Sequence, residues 1–215
     1  METTAVKQHA ITYLVRQARR PRGVVGWMAG WVFDLRPSNR QRNKWAVSLL
    51  DVRPTDRVLE LGFGPGVAIA EFAERATHGQ VFGIDHSRAM VRHAARRNAV
   101  AIRAGRVHLT QASVAQLPSF GAPLDAVLAV NSVGFWPDPV ERLRELRRVL
   151  RPEGRIALVS QPRTPGATRD TTVRAARELE DLLTRAGFTG LRVETLDFEP
   201  PVACVLAINP GGTTA

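Results

Sequence analysis

The sequence predicts an α/β fold built on a mostly parallel sheet. Three observations carry that expectation. From Arg57 onward, short apolar runs alternate with helix-patterned stretches of about ten to fifteen residues. A glycine-rich turn, Gly62-Phe63-Gly64-Pro65-Gly66, separates the first such run from the first such helix. The last two runs are joined by Asp197-Phe198-Glu199-Pro200-Pro201 with no helix between them. That suits a hairpin, and so an antiparallel strand at the edge of an otherwise parallel sheet.

In chain order, Thr4 to Arg19 is helix-compatible and Pro21-Arg22-Gly23 breaks it. A second helix is expected from Ser38 or Asn39, as N-cap, to about Leu50. Asp51 to Asp56, with Pro54, reads as a linker. Strands are expected at Arg57–Leu61, Gln80–Ile84, Val107–Thr110, Asp125–Val130, Arg155–Ser160, Leu191–Leu196 and Ala203–Ile208. Helices are expected at Val67–Ala76, Ser87–Asn98, Val140–Leu150 and Thr171–Ala186. The reading is one domain, residues 51–215, with an N-terminal helical segment, residues 1–50.

Composition excludes several classes. Of 215 residues, 44% are hydrophobic and 23% charged, which is globular rather than disordered or fibrous usage. Cys204 is the sole cysteine, so no internal disulfide or cysteine-based zinc site forms. The longest apolar run, Val24 to Phe33, is ten residues, too short to span a bilayer. Arg19-Arg20 before it lack the context of an export signal, and a cytoplasmic location is expected. The formal net charge is +10, and residues 1–50 carry nine cations against two acids, +7 of that total. An anionic partner or a solvated arginine-rich face both account for it.

The glycine loop carries the strongest chemical signal. Glycines let the backbone turn tightly and approach a ligand without Cβ clashes. The dinucleotide spacing G-x-G-x-x-G needs glycine at position 67, where Val67 stands; the third glycine is Gly66. Glu60 precedes the loop by two residues, which disfavours a pyrophosphate, as in NAD or FAD, and suits a cation. Asp85 ends the second strand nineteen residues beyond Gly66. There a carboxylate accepts from both hydroxyls of a ribose. Capping of the helix near Ser87 is the competing role.

These residues resemble the class I S-adenosylmethionine-dependent methyltransferases. Glu60-Leu61-Gly62-Phe63-Gly64-Pro65-Gly66 resembles the family's E/D-x-G-x-G-x-G. Asp85 to Met90 resembles D-x-S-x-x-M, Leu117 to Phe120 an L-P-F region, and Arg147 to Arg155 an R-V-L-x-P-G-G segment. The set is similar to the subgroup of quinone, sterol and natural-product enzymes. The fold this implies is a Rossmann-like seven-stranded sheet of order 3-2-1-4-5-7-6, strand seven antiparallel, with residues 1–50 as a helical lid over the acceptor. The resemblance implies that Gly62, Gly64 and Gly66 line the methionyl part of S-adenosylmethionine and that Glu60 sits near its ammonium. It implies ribose binding by Asp85, adenine flanked by His86, and an Asn131 carbonyl toward the methionine amine. The family often has Asp in the stretch Ala112-Ser113-Val114; here Ser113 is the adenine acceptor, a neutral and weaker one.

The implied function is methyl transfer to an O, N or C atom of a small, largely apolar or aromatic acceptor, mainly by proximity and desolvation. No metal is implied. His9 and Tyr13, at i,i+4 spacing, are the candidate catalytic pair. Trp27, Trp31, Asn39, Asn43, Trp136 and Gln161 are the candidate acceptor contacts, with Arg36 and Arg40 beside the asparagines; packing or solvation competes at each. Alternatives are an RNA methyltransferase using the basic N-terminal arm, a membrane-associated lipid or quinone methyltransferase, and a cofactor-binding scaffold without turnover. Asn131-Ser132-Val133-Gly134 departs from the N/D-P-P-Y/F of base N-methylating enzymes, which disfavours nucleic acid.

Overall fold

The computed structural model describes residues 37–211. His9, Tyr13, Trp27, Trp31 and Arg36 therefore lie outside the described residues, with the first expected helix and most of the basic arm.

The elements are α1 (Pro37–Ser48), β1 (Arg57–Leu61), α2 (Val67–Arg75), β2 (Gln80–Asp85), α3 (Arg88–Arg97), α4 (Ala99–Arg103) and β3 (Val107–Gln111). They continue with β4 (Leu124–Val130), α5 (Pro139–Val149), β5 (Leu150–Ser160), α6 (Arg169–Arg185), β6 (Thr189–Leu196) and β7 (Val202–Ile208). The seven strands form one sheet of order β3-β2-β1-β4-β5-β7-β6. Strands β1 to β5 pair in parallel, and β7 runs antiparallel to both β5 and β6. This is the Rossmann-like order that the motif resemblance implies.

Four details differ from the reading of the residues. The antiparallel strand is not at the edge: β7 sits between β5 and β6, and β6 takes the rim. The chemistry of the two strands explains this. Val202-Ala203-Cys204-Val205-Leu206-Ala207 is buried along its length and needs a neighbour on each side. Strand β6 carries Arg192 and Glu194 and is mostly exposed, as suits an edge. Strand β5 starts at Leu150, directly after α5, rather than at Arg155. The short helix α4 was not expected, and it follows Asn98, where α3 ends. Lastly, Ser38 and Asn39 do not cap α1. Pro37 already opens the helix, a position its fixed φ favours, and Asn39 faces inward instead.

Side chains alternate along each strand, and each face of the sheet has its own core. Leu59, Leu61, Val127, Ala129, Ile156 and Leu158 pack with Leu143, Leu146, Leu179 and Leu183 of α5 and α6. Val58, Ala126, Leu128, Ala157 and Val159 pack with Phe72 and Ile69 of α2 and with Ala46, Val47 and Leu50. Helix α1 thus belongs to the domain core. Strand order reverses between β1 and β4, and the crevice beyond the carboxyl ends of those strands is where ligands bind in open α/β sheets.

Candidate functional site

The glycine loop spans the turn from β1 to α2. Its three glycines have positive φ, and they do different jobs. A Cβ on Gly62 would lie 2.6 Å from the Ser132 Cβ, and the Ser132 hydroxyl donates to the Leu61 carbonyl at 2.8 Å. A Cβ on Gly66 would lie 2.6 Å from the Ala94 Cβ and 2.9 Å from Asn98 Nδ2. Both positions are fixed by protein packing. Around Gly64 nothing among the described residues lies within 4 Å of the Cβ position, so its glycine leaves open space beside the loop.

Asp85 organises that loop. Its carboxylate is 7% exposed and accepts from Gly64 N–H at 2.9 Å through Oδ2 and from Ser87 N–H at 2.8 Å through Oδ1. Helix α3 is capped by Ser87, whose hydroxyl accepts from Met90 N–H. The competing cap role thus falls to the serine. Burial raises the Asp85 pKa, while the bonds from Ser87 and Gly64 and the nearby His86 pull it down. The His86 ring is half exposed, its Nδ1 3.8 Å from Asp85 Oδ1.

Glu60 lies on the α2 face of β1 and is 2% exposed. The Ile69 N–H in the first turn of α2 bonds its carboxylate, but Oε2 has no partner among the described residues. Burial first, and the charge of Asp85 second, hold its pKa well above 4.5. A raised folded-state pKa stabilises the fold below the unfolded value and loses that effect as pH rises through the folded value. The Tm advantage of Glu60→Gln over wild type is therefore expected to grow as pH rises above about 4.5, as melting curves across pH will show.

The other predicted positions fall around the same edge. Asn131 follows β4 at φ 53, donates through its N–H to the Val159 carbonyl and accepts from Gln161 N–H at 2.7 Å. Ser113 is exposed after β3, its hydroxyl accepting from Ala115 N–H at 3.2 Å, and Val114 packs half-buried against the α5/α6 core. Asn39, Asn43 and Gln161 meet around one residue the sequence reading did not single out, Arg42. It donates to Gln161 Oε1 at 2.8 Å and to Asn39 Oδ1. The arginine beside the asparagines is thus Arg42 and not Arg40, which is exposed, because the i,i+3,i+4 spacing of Asn39, Arg42 and Asn43 puts them on one face of α1. Trp136 is also placed differently. It is 9% exposed and packs with Leu143 and Val133 in the core, while Phe135, 59% exposed, is the ring this loop presents outward. The turn Trp136-Pro137-Asp138 leads directly into α5.

Residues 58–154 match a family model described as a methyltransferase domain. That stretch, a little under half of the chain, is similar to the enzyme class that the chain's motifs resemble. An uncharacterized methyltransferase, YdaC, of Bacillus subtilis is 29% identical over 85% of this chain and 98% of its own length. The ubiquinone/menaquinone biosynthesis C-methyltransferase UbiE of Geotalea daltonii is 28% identical over 58% of this chain and 54% of its own length. Among solved structures, the N-methyltransferase NodS of Bradyrhizobium japonicum, in complex with S-adenosylhomocysteine, superposes with a TM-score of 0.65 at 18% identity. That match covers 84% of this chain and 91% of NodS, and it shows the shared fold.

S-adenosylmethionine is the cofactor of the methyltransferases this chain resembles, and the residues present fit it. The orphaned Oε2 of buried Glu60, close enough to Asp85 for the two charges to repel, calls for a positive ligand. Asp85 and the open space at Gly64 offer a ribose acceptor and a close backbone approach. Among the described residues, no cluster of His, Cys, Asp and Glu is arranged to hold a metal ion, and no helix is long and apolar enough to cross a membrane.

Proposed function

We propose that the chain binds S-adenosylmethionine across the carboxyl ends of β1 to β4 and transfers its methyl group to a small, largely apolar or aromatic acceptor. One observation carries this reading: two buried carboxylates, Glu60 and Asp85, stand beside a glycine loop whose middle residue, Gly64, opens onto empty space. A pyrophosphate would meet repulsion there, and a sulfonium- and ammonium-bearing nucleoside would meet attraction. When bound, the cofactor supplies a methyl group already activated by its sulfonium.

The protein's work is then positioning. Asp85 holds the ribose and, through Gly64 N–H, fixes the loop. Glu60 neutralises the ligand's ammonium, and Asn131, at positive φ after β4, offers its carbonyl to the same group. Ser113 and His86 flank the adenine. The acceptor approaches from the β4/β5 edge, where Phe135 and Gln161 stand, and proximity and exclusion of water supply the rate enhancement.

Calorimetry tests the cofactor reading directly. S-adenosylhomocysteine is expected to bind with a Kd of about 1–100 μM, or roughly −8 to −5 kcal/mol, and NAD to give no heat. Absence of binding by S-adenosylhomocysteine, or equal binding by NAD, removes the proposal.

A further inference from the structure

Five charged side chains are buried in the described domain: Arg42, Asp56, Glu60, Glu71 and Asp85. Two of them are paired within the fold. Asp56 meets Arg155, and Glu71 meets Arg75 and Lys44. Asp85 has two backbone N–H groups and His86. Glu60 is accounted for by the cofactor reading. Arg42 is left over. It is 3% exposed, and no carboxylate among the described residues pairs with it.

We propose that Arg42, framed by Asn39, Asn43 and Gln161, is an oxyanion receptor that takes a carboxylate or phosphate group of a ligand seated in the cofactor cleft, an inference that rests on the cofactor reading above. The partners that Arg42 does have are neutral. Nη1 donates to Gln161 Oε1, Nη2 donates to Asn39 Oδ1, and buried Nε has no partner among the described residues. An ionised group removed from water needs a counter-charge, and among the described residues this one has only amide dipoles. Among the described residues, the charge that acts on it is a second cation, Arg163; burial first and that repulsion second bring the Arg42 pKa down to about 10. A bound oxyanion relieves both. The guanidinium fork matches the two oxygens of a carboxylate or phosphate, which an ammonium does not.

The surrounding amides hold the fork in place. Asn43 Nδ2 donates to the Asn39 carbonyl at 2.7 Å and to Asn39 Oδ1, which fixes that oxygen toward Arg42. Gln161 Nε2 donates to the Pro200 carbonyl, and Gln161 N–H donates to Asn131 Oδ1. The receptor is therefore wired to the end of β4, at the residue assigned to the cofactor's amine. The oxyanion has two sources: the cofactor's own carboxylate, or an anionic group on the acceptor.

Calorimetry on wild type, Arg42→Gln and Arg42→Lys separates them. Two titrants are used first, S-adenosylhomocysteine and its decarboxylated analogue, which keeps the ammonium and lacks the carboxylate. If the cofactor's carboxylate is the ligand, Arg42→Gln weakens S-adenosylhomocysteine by about 30- to 300-fold and leaves the analogue within about two-fold. If the acceptor supplies the anion, both titrants are unchanged; protein saturated with S-adenosylhomocysteine then binds benzoate or inorganic phosphate, and Arg42→Gln does not. Arg42→Lys keeps a cation in the same packing and loses the fork. It is expected to fold like wild type and to show about a tenth of the affinity in whichever arm responds. Equal loss of both titrants, or no effect on any of the four ligands, overturns the receptor and leaves Arg42 as a strut between α1 and β5. Failure of wild type to bind S-adenosylhomocysteine defeats the cofactor reading instead, and the phosphate and benzoate titrations still decide the receptor.

Discussion

Asp85→Ala is expected to bind S-adenosylhomocysteine about 100-fold more weakly than wild type, a loss of roughly 3 kcal/mol. Two effects add. Charge-assisted hydrogen bonds from the ribose hydroxyls disappear, at about 1.5–3 kcal/mol each when the acceptor is ionised. The loop also loses its anchor, because Gly64 N–H and Ser87 N–H no longer share a carboxylate. Freed N–H groups next to a cleft recover water, so the fold itself is expected to lose only about 1 kcal/mol. Asp85→Asn separates the two effects. One amide oxygen still anchors one N–H, and the repulsion on Glu60 is relieved, which moves the Glu60 pKa back toward its ordinary range. Calorimetry beside a thermal melt gives both quantities. Unchanged affinity in Asp85→Ala removes the ribose role, however well the variant folds.

What the sequence made legible follows the physics of each residue. The strand and helix pattern, the glycine loop and Asp85 were readable because each is a local signal, either a period of 2 or 3.6 or a turn that demands glycine. The place of β7 was not, because pairing between strands is decided by burial on both sides, and the residues of β6 and β7 declare that only when compared with each other. Arg42 was missed for a related reason. On the sequence it is one of nine cations in the first fifty residues, and only packing against Gln161, 119 residues away, buries it. Its signal was present in the Asn39-Arg42-Asn43 spacing. Trp136 misled because a tryptophan at a sheet edge is equally suited to a ligand and to a core, and the chain turns it toward Leu143. Total charge is a coarse signal here. Beyond residue 50 the totals nearly cancel, yet between Asp85 and Asp125 there are six arginines and no acid. Arg88, Arg92 and Arg96 share one exposed face of α3.

The glycine loop yields the other large effect, and there stability and binding come apart. Gly66→Ala places a methyl 2.6 Å from the Ala94 Cβ and 3.1 Å from its Cα, at a φ of 74 that an L-residue resists. Left-handed backbone costs about 1–2 kcal/mol, and overpacking about 1–3 kcal/mol more. A loss of about 2–5 kcal/mol lowers Tm by roughly 5–20 °C in a domain of this size. Adding Ala94→Gly removes the shortest of these contacts and is expected to recover part of the overpacking, with the Asn98 Nδ2 contact and the backbone cost remaining. Gly64→Ala is the contrast. Its φ of 52 carries the same backbone cost, but the methyl meets no atom of the described residues within 4 Å. Tm is expected to fall by only about 2–8 °C. The methyl does enter the open space beside Asp85, so S-adenosylhomocysteine binding is expected to weaken by at least about ten-fold, or 1.4 kcal/mol. Melting curves and calorimetry on the three variants read both quantities. Wild-type affinity in Gly64→Ala would show that the ligand does not pass beside that residue, and a Gly66→Ala melt equal to that of Gly64→Ala would remove the packing role given to Ala94 and Asn98.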